Sequence, residues 1–241
     1  MIRIEGLTKR FGTKLVLDSL DFSIPGGQIT ALIGPSGSGK SVLSKCVAGL
    51  LSFDNGSVIV DNCGNDHGRL RKISYVFQFG GLLDFMTVLE NVVFPKKMEG
   101  QITRELLEQA ISVCEDLNIV GFCDDYPKNV PLSVRKLAAL ARAIISDTSW
   151  IFIDEPDSGL DPEAIFKLYQ VIVDIFNSRK KNVVIISHDV PDVFKICSFY
   201  GLIYAGKIVS QGEIVRGKPS RMDAYIEQFM EGSVDGPISL N

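Results

Sequence analysis

Little in this chain could staple it, anchor it in a bilayer or hold a transition metal. Its 241 residues include five cysteines and two histidines. The cysteines (Cys46, Cys63, Cys114, Cys123 and Cys197) are odd in number and form no C-x-x-C pair. A disulfide framework and a Cys/His zinc site are therefore excluded, and reduced thiols in a cytosolic protein are expected. No stretch approaches the roughly 18–20 apolar residues needed to cross a bilayer. The longest candidates, Val183-Val184-Ile185-Ile186 and Phe199 to Ala205, have strand length. Met1-Ile2-Arg3-Ile4-Glu5 carries charge at once and has no apolar signal core. Basic residues are not in excess, with 25 Lys+Arg against 29 Asp+Glu and a net charge of -4. Wrapping of duplex DNA is excluded on that balance, and no nucleic-acid partner is expected.

What remains is an ordinary globular composition, 46% hydrophobic and 22% charged, long enough for one large domain or two small ones. No internal repeat or low-complexity segment interrupts it. Alternation from Leu15 to Ile24, through Val16, Leu20 and Phe22, predicts a strand ending at Pro25-Gly26-Gly27. A second strand is predicted over Ile29–Ile33, followed by a glycine-rich break and a helix over Lys40–Leu50. Gly56–Asp61 and Ile73–Phe77 are further strand candidates. From about residue 90 to 146 the pattern turns helical, with Leu106, Leu107, Ala110, Ile111, Cys114 and Leu117 at three-to-four spacing. Strands return at Trp150–Ile153 and Val183–Ile186 with a helix from Pro162 to about Ser178 between them. A hairpin at Ala205-Gly206-Lys207 and a polar tail complete the chain. Strands alternating with crossover helices imply an α/β fold with a mainly parallel sheet and a helical insertion.

Three strand ends carry candidate chemistry. Gly34-Pro35-Ser36-Gly37-Ser38-Gly39-Lys40-Ser41 fits G-x-x-x-x-G-K-[ST] between an apolar strand and a helix. Glycines let consecutive N–H groups curl round phosphate oxygens, Lys40 neutralises the β/γ charge, and the Ser41 hydroxyl is a ligand for Mg²⁺. Trp150-Ile151-Phe152-Ile153 runs into the adjacent carboxylates Asp154 and Glu155. Bare charge at the end of a buried strand is costly unless a cation or a proton transfer uses it. Asp154 is read as a Mg²⁺ partner through water, and Glu155 as the group that orients and deprotonates an attacking water. The bland alternative is that they cap the next helix. The apolar strand Val184-Ile185-Ile186-Ser187 ends in His188, which is read as a γ-phosphate contact at the same sheet edge.

In this order the residues resemble an ATP-binding cassette (ABC) ATPase over nearly the whole chain. The resemblance implies a P-loop NTPase with a RecA-like mixed sheet core, an N-terminal antiparallel β part and an inserted helical subdomain. Phe11 would stack on adenine, and Gln78, ending a strand, would reach the Mg²⁺ and the attacking water. The Ser158-Gly159-Leu160-Asp161 loop also fits. The implied division is an ATPase domain over residues 1–221, with its core in 1–94 and 147–221 and its helical subdomain in 95–146. Residues 222–241 form an interaction tail. Implied cofactors are ATP and Mg²⁺; implied partners are a second cassette, identical or different, and an integral-membrane permease. The stretch from Val76 to Pro95, and the tail Gln228 to Pro237, look like the Mla-type ATPases that drive phospholipid transport. That implies an MCE-domain lipid-binding protein, a small regulatory subunit and a peripheral place on the cytoplasmic face of the inner membrane. The Gln78–Pro95 region would pass motion to the permease.

One motif departs from the family. A Leu-Ser-Gly-Gly-x signature, which holds the partner's ATP, is expected before the helix containing Ala139-Leu140-Ala141-Arg142-Ala143. Aligned without a gap, its place is taken by Val130-Pro131-Leu132-Ser133-Val134. Proline supplies neither hydroxyl nor N–H there, and leucine obstructs backbone approach to phosphate. The rival register equates Leu132-Ser133 with the family's Leu-Ser and deletes both glycines, drawing the helix back by about 3 Å. The gapless register needs no compensating insertion. Slow hydrolysis as a homodimer, a low-turnover clamp, or one half of an asymmetric heterodimer are the readings it opens.

Overall fold

A computed structural model describes residues 1–61, 68–69 and 71–239. The chain divides into two compact units, Met1–Ile73 with Asn182–Asn241, and Ser74–Lys181.

The first unit opens on an antiparallel sheet of three strands, in the order β2 (Lys14–Ile24), β1 (Ile2–Phe11), β4 (Asn55–Val60). Ile2, Ile4 and Leu7 of β1 are buried on one face. In β2 the burial falls on Leu17, Leu20, Phe22 and Ile24, whereas Val16 is only half-buried. The expected alternation through Val16 thus shifts by one residue. Register irregularities against β1 between Leu7 and Arg10, and positive φ at Ser19, change the parity of the strand there.

The other sheet strands of this unit follow the order β10 (Lys218–Pro219), β9 (Lys207–Val215), β8 (Phe199–Tyr204), β3 (Ile29–Ile33), β7 (Asn182–Ser187). β3 is parallel to both neighbours and every one of its residues is buried, the signature of a central strand covered on both faces. β8 turns back antiparallel into β9 across Ala205 (φ 47°) and Gly206 (φ 76°), so the sheet is mixed. Helix α1 (Lys40–Ala48) follows β3 and ends on Gly49, whose left-handed conformation stops it two residues short of the expected Leu50.

The second unit holds β5 (Ile73–Val76, whose first residue closes the opening segment of the first unit) beside β6 (Trp150–Asp154), with four α-helices. These are α2 (Val88–Met98), α3 (Arg104–Asp116), α4 (Leu132–Ile145) and α5 (Pro162–Arg179). α2 starts on a reciprocal capping box in which Thr87 N–H donates to Glu90 and Glu90 N–H to Thr87 Oγ1. The buried Asn91 then fastens the preceding loop: its side chain accepts from Leu83 N–H and donates to the carbonyls of Leu83, Met86 and Thr87. α4 buries Val134, Lys136, Ala138–Ala141 and Ala143–Ile145, which explains its Ala/Leu density.

Cys46, Cys114, Cys123 and Cys197 are buried free thiols; Cys63 lies outside the described residues. Burial pushes Cys46 up to about 11 and Cys114 to about 12, so both stay protonated at neutral pH.

The tail, polar in sequence, is ordered into structure. After the one-turn α6 (Val190–Val193), helix α7 (Ala224–Glu231) is capped by Asp223, which accepts from Tyr225 and Ile226 N–H. Its buried Gln228 pairs with the backbone of Ile238, donating to the carbonyl at 2.8 Å and accepting from the N–H at 2.7 Å. Tyr204 Oη accepts from Ser239 N–H at 2.9 Å. Replacing Gln228 by Leu strands buried polar groups of Ile238, at a cost of about 1–3 kcal/mol. A lower urea midpoint and faster amide exchange at Ile238 are the expected measurements.

Candidate functional site

The sequence-derived site residues fall into two groups, one in each unit. In the first unit Gly34–Ser41 links the end of β3 to the start of α1. Gly34 cannot be replaced, because a Cβ there would stand 2.2 Å from the Ile203 carbonyl oxygen of β8. Gly37 (φ 78°) turns the loop, and Gly39 (φ 109°) is the helix cap. Ser36 and Gly37 are exposed, Pro35 and Ser41 half-buried. The Lys40 ammonium folds back onto the loop, donating to the Gly34 carbonyl at 2.7 Å and the Pro35 carbonyl at 3.0 Å. Ser38 Oγ is buried with no hydrogen-bond partner among the described residues, and the first turn of α1 holds no acidic side chain. A helix N-terminus ringed by N–H groups, a lysine and an orphaned hydroxyl fits a phosphate chain.

β7 runs parallel to β3 with Ser187 opposite Ile33. His188 and Gly34 therefore leave neighbouring strands at the same edge, and the His188 side chain is exposed. Phe11 ends β1 with 49% of its surface exposed, and the Lys9 ammonium lies 5.2 Å from its ring centroid.

In the second unit Asp154 is the last residue of β6, only 6% exposed, and accepts from Tyr75 Oη at 2.9 Å. Glu155 follows in a left-handed conformation, φ 48°. The capping alternative does not hold, because the next helix, α5, is capped by Asp161 accepting from Ala164 N–H. Gln78 Nε2 donates to Ser158 Oγ at 3.1 Å, so Gln78 reaches the loop that follows the carboxylates. Pro131 occupies the N-cap of α4 without any side-chain hydrogen bond, and Leu132 Cδ2 lies 3.0 Å from where a Cβ on Gly159 would be.

Sequence reasoning missed three residues here. Tyr75 gave no signal beyond its place on a short strand. Lys136 and Arg142 did: both are cations inside the Ala/Leu-rich face of α4. Lys136 is buried and donates to the carbonyls of Glu155, Pro156 and Ser158 at 3.1, 2.7 and 2.6 Å. Arg142 donates to the Gly80 and Gly81 carbonyls at 3.0 and 2.9 Å, and burial holds its guanidinium below its ordinary range.

A protein-family model described as ABC transporter matches residues 17–158. The chain belongs to the ABC transporter family. A second model, described as AAA domain, putative AbiEii toxin, Type IV TA system, matches residues 129–193 within the same cassette. The cassette is 32% identical to the probable ribonucleotide transport ATP-binding protein mkl of Mycobacterium leprae, over all of this chain and 71% of that protein. It is 30% identical to the intermembrane phospholipid transport system ATP-binding protein MlaF of Escherichia coli, over 94% of this chain and 87% of that one. Among solved structures it resembles a dimeric bacterial ABC transporter cassette, with TM-score 0.81, 25% identity and coverage of 89% and 99% of the two chains. A nucleotide-free cassette from an ABC transporter gives TM-score 0.78 at 26% identity, covering 90% and 92%.

The cassette is thus an ATP-binding subunit of an ABC transporter, of a family whose members are ATPases that dimerise and work with membrane permeases. No helix among the described residues is long and apolar enough to cross a membrane. Lys40→Ala removes a charge-assisted donor to phosphate, worth about 1.5–3 kcal/mol, and is expected to weaken ATP binding about 10- to 100-fold. Titration with a fluorescent ATP analogue checks this.

Proposed function

We propose that this cassette hydrolyses ATP to power phospholipid transport, as a peripheral subunit on the cytoplasmic face of an inner membrane. The observation that carries the reading is a built phosphate loop in a chain that aligns with MlaF over 94% of its length. ATP is held by the backbone from Gly34 to Ser41, through Pro35, Ser36, Gly37, Ser38 and Gly39, with Lys40 moving from its loop carbonyls to the β/γ-phosphates. Phe11 stacks on adenine. The donors assigned to Mg²⁺ are the Ser41 hydroxyl, the Gln78 amide oxygen and the Asp154 carboxylate, partly through water. All are oxygens, and a single carboxylate fits a cation that keeps waters and phosphate oxygens as its other ligands. Bound there, Mg²⁺ supplies neutralisation of the charge that builds on the transferring phosphoryl group. Glu155 orients the attacking water and takes its proton, and His188 contacts the γ-phosphate. The partners are a second cassette, a permease reached through the Gln78–Pro95 region, an MCE-domain lipid-binding protein and a small regulatory subunit.

A second reading concerns rate. Pro131 brings no N–H or hydroxyl to the start of α4, and Leu132 fills the space beside Gly159. A homodimer of such chains turns over slowly, since one lost preorganised donor costs about 10²- to 10³-fold. Paired with a cassette carrying an intact signature, the same chain contributes one competent site through its P-loop and Glu155.

Steady-state ATP hydrolysis of the native chain with its permease separates the readings. It is compared with the Val130→Leu, Pro131→Ser, Leu132→Gly, Ser133→Gly variant and with Glu155→Gln as the blank. Native turnover well above the blank, not raised by restoration, is expected of a working homodimer. Turnover at the blank that restoration rescues places the defect in the signature and favours the asymmetric pair or clamp.

A further inference from the structure

We infer that Lys136 is a positioning residue that holds the Glu155 turn in its working shape and ties it to the signature-bearing end of α4. The inference rests on Glu155 being the group that activates water. A lysine at 3% exposure has left water, and its ammonium carries three donors. All three go to one loop: to Glu155 O, Pro156 O and Ser158 O, at 3.1, 2.7 and 2.6 Å.

Three carbonyls converge on one point only because the backbone is bent there. Glu155 has φ 48° and Gly159 φ 75°, and Ser158 N–H closes the turn onto the Glu155 carbonyl at 3.3 Å. A non-glycine residue in that conformation is disfavoured and persists where surrounding groups over-determine it. Lys136 is such a group, and it grips the peptide of the very residue that carries the carboxylate. Burial pulls its pKa below the ordinary lysine value, while the charges of Asp157 and Glu155 oppose that fall.

Leu132, one helical turn earlier, makes a second attachment by packing on Gly159. Gln78 reads the same loop through Ser158 Oγ. Movement at the N-terminal end of α4 is thereby transmitted to the carboxylate's backbone, and to the residue beside Gln78. A lysine that merely filled the core would need no common acceptor loop and would not choose this one.

The test uses the full chain in single-turnover hydrolysis of radiolabelled ATP, with nucleotide affinity measured separately. Lys136→Met keeps the length and removes the donors. A displacement of about 1 Å at a catalytic group costs about 10²-fold, so kcat is expected to fall about 30- to 100-fold with ATP affinity within about threefold of the native value. Amide exchange across residues 155–160 rises in Lys136→Met. Lys136→Gln, which retains two N–H donors, is the milder variant should Met prevent folding, and its expected loss is about tenfold in kcat alone. A folded Met or Gln variant with native kcat overturns the inference, as does a loss carried by ATP affinity instead of kcat. Where native turnover lies at the blank, Lys136→Met is compared in the chain with the restored signature, with the same expected loss; hydrolysis that Glu155→Gln leaves intact overturns instead the reading of Glu155 on which the inference rests.

Discussion

A lysine ammonium taken out of water must find its acceptors inside the protein, and both loops to which chemistry is assigned are shaped by that requirement. In the first unit Lys40 is buried and bonds the Gly34 and Pro35 carbonyls. In the second, Lys136 bonds three carbonyls of the segment after Asp154. Each lysine sits in the first turns of a helix and reaches back to irregular backbone. The consequences differ. Lys40 holds two carbonyls that it can exchange for phosphate oxygens, a stronger acceptor because it is charged. Lys136 has all three of its donors committed, and breaking that clamp would strand carbonyls as well as a cation.

The signature region looks different once α4 is seen as an anchored helix. From sequence, Leu132 in place of a glycine is only an obstruction. In the structure its side chain rests against Gly159, whose φ of 75° suits a glycine and leaves no Cβ in the way. The contact lies at the start of α4, where Pro131 offers no side-chain cap.

Much of the first unit could be read from the chain. An apolar run, a glycine-rich break and a helix formed a local pattern, and the positions of Lys40 and His188 follow from strand ends alone. β1 escaped notice because its alternation of Ile2, Ile4 and Leu7 is crossed by charges and a bulge. α7 escaped because a polar tail shows nothing of the Gln228–Ile238 pairing ten residues apart. The shift from Val16 to Leu17 depends on register with another strand, which no local window contains. The second unit was harder. Asp154 and Glu155 stood out at the end of an apolar strand, but the partners that hold them lie 79 and 19 residues away, in Tyr75 and Lys136. Only the cation on an apolar helix face hinted at the latter.

The proposed work of this cassette is to consume ATP and move lipid. Its most direct test is transfer of a fluorescent phospholipid between vesicle populations by the reconstituted permease and cassette, with and without ATP. Glu155→Gln serves as the blank, and a labelled ribonucleotide as the competing cargo suggested by the mkl relatives. ATP-dependent phospholipid movement that Glu155→Gln abolishes is the expected result. Hydrolysis that moves ribonucleotide and leaves phospholipid in place would contradict it.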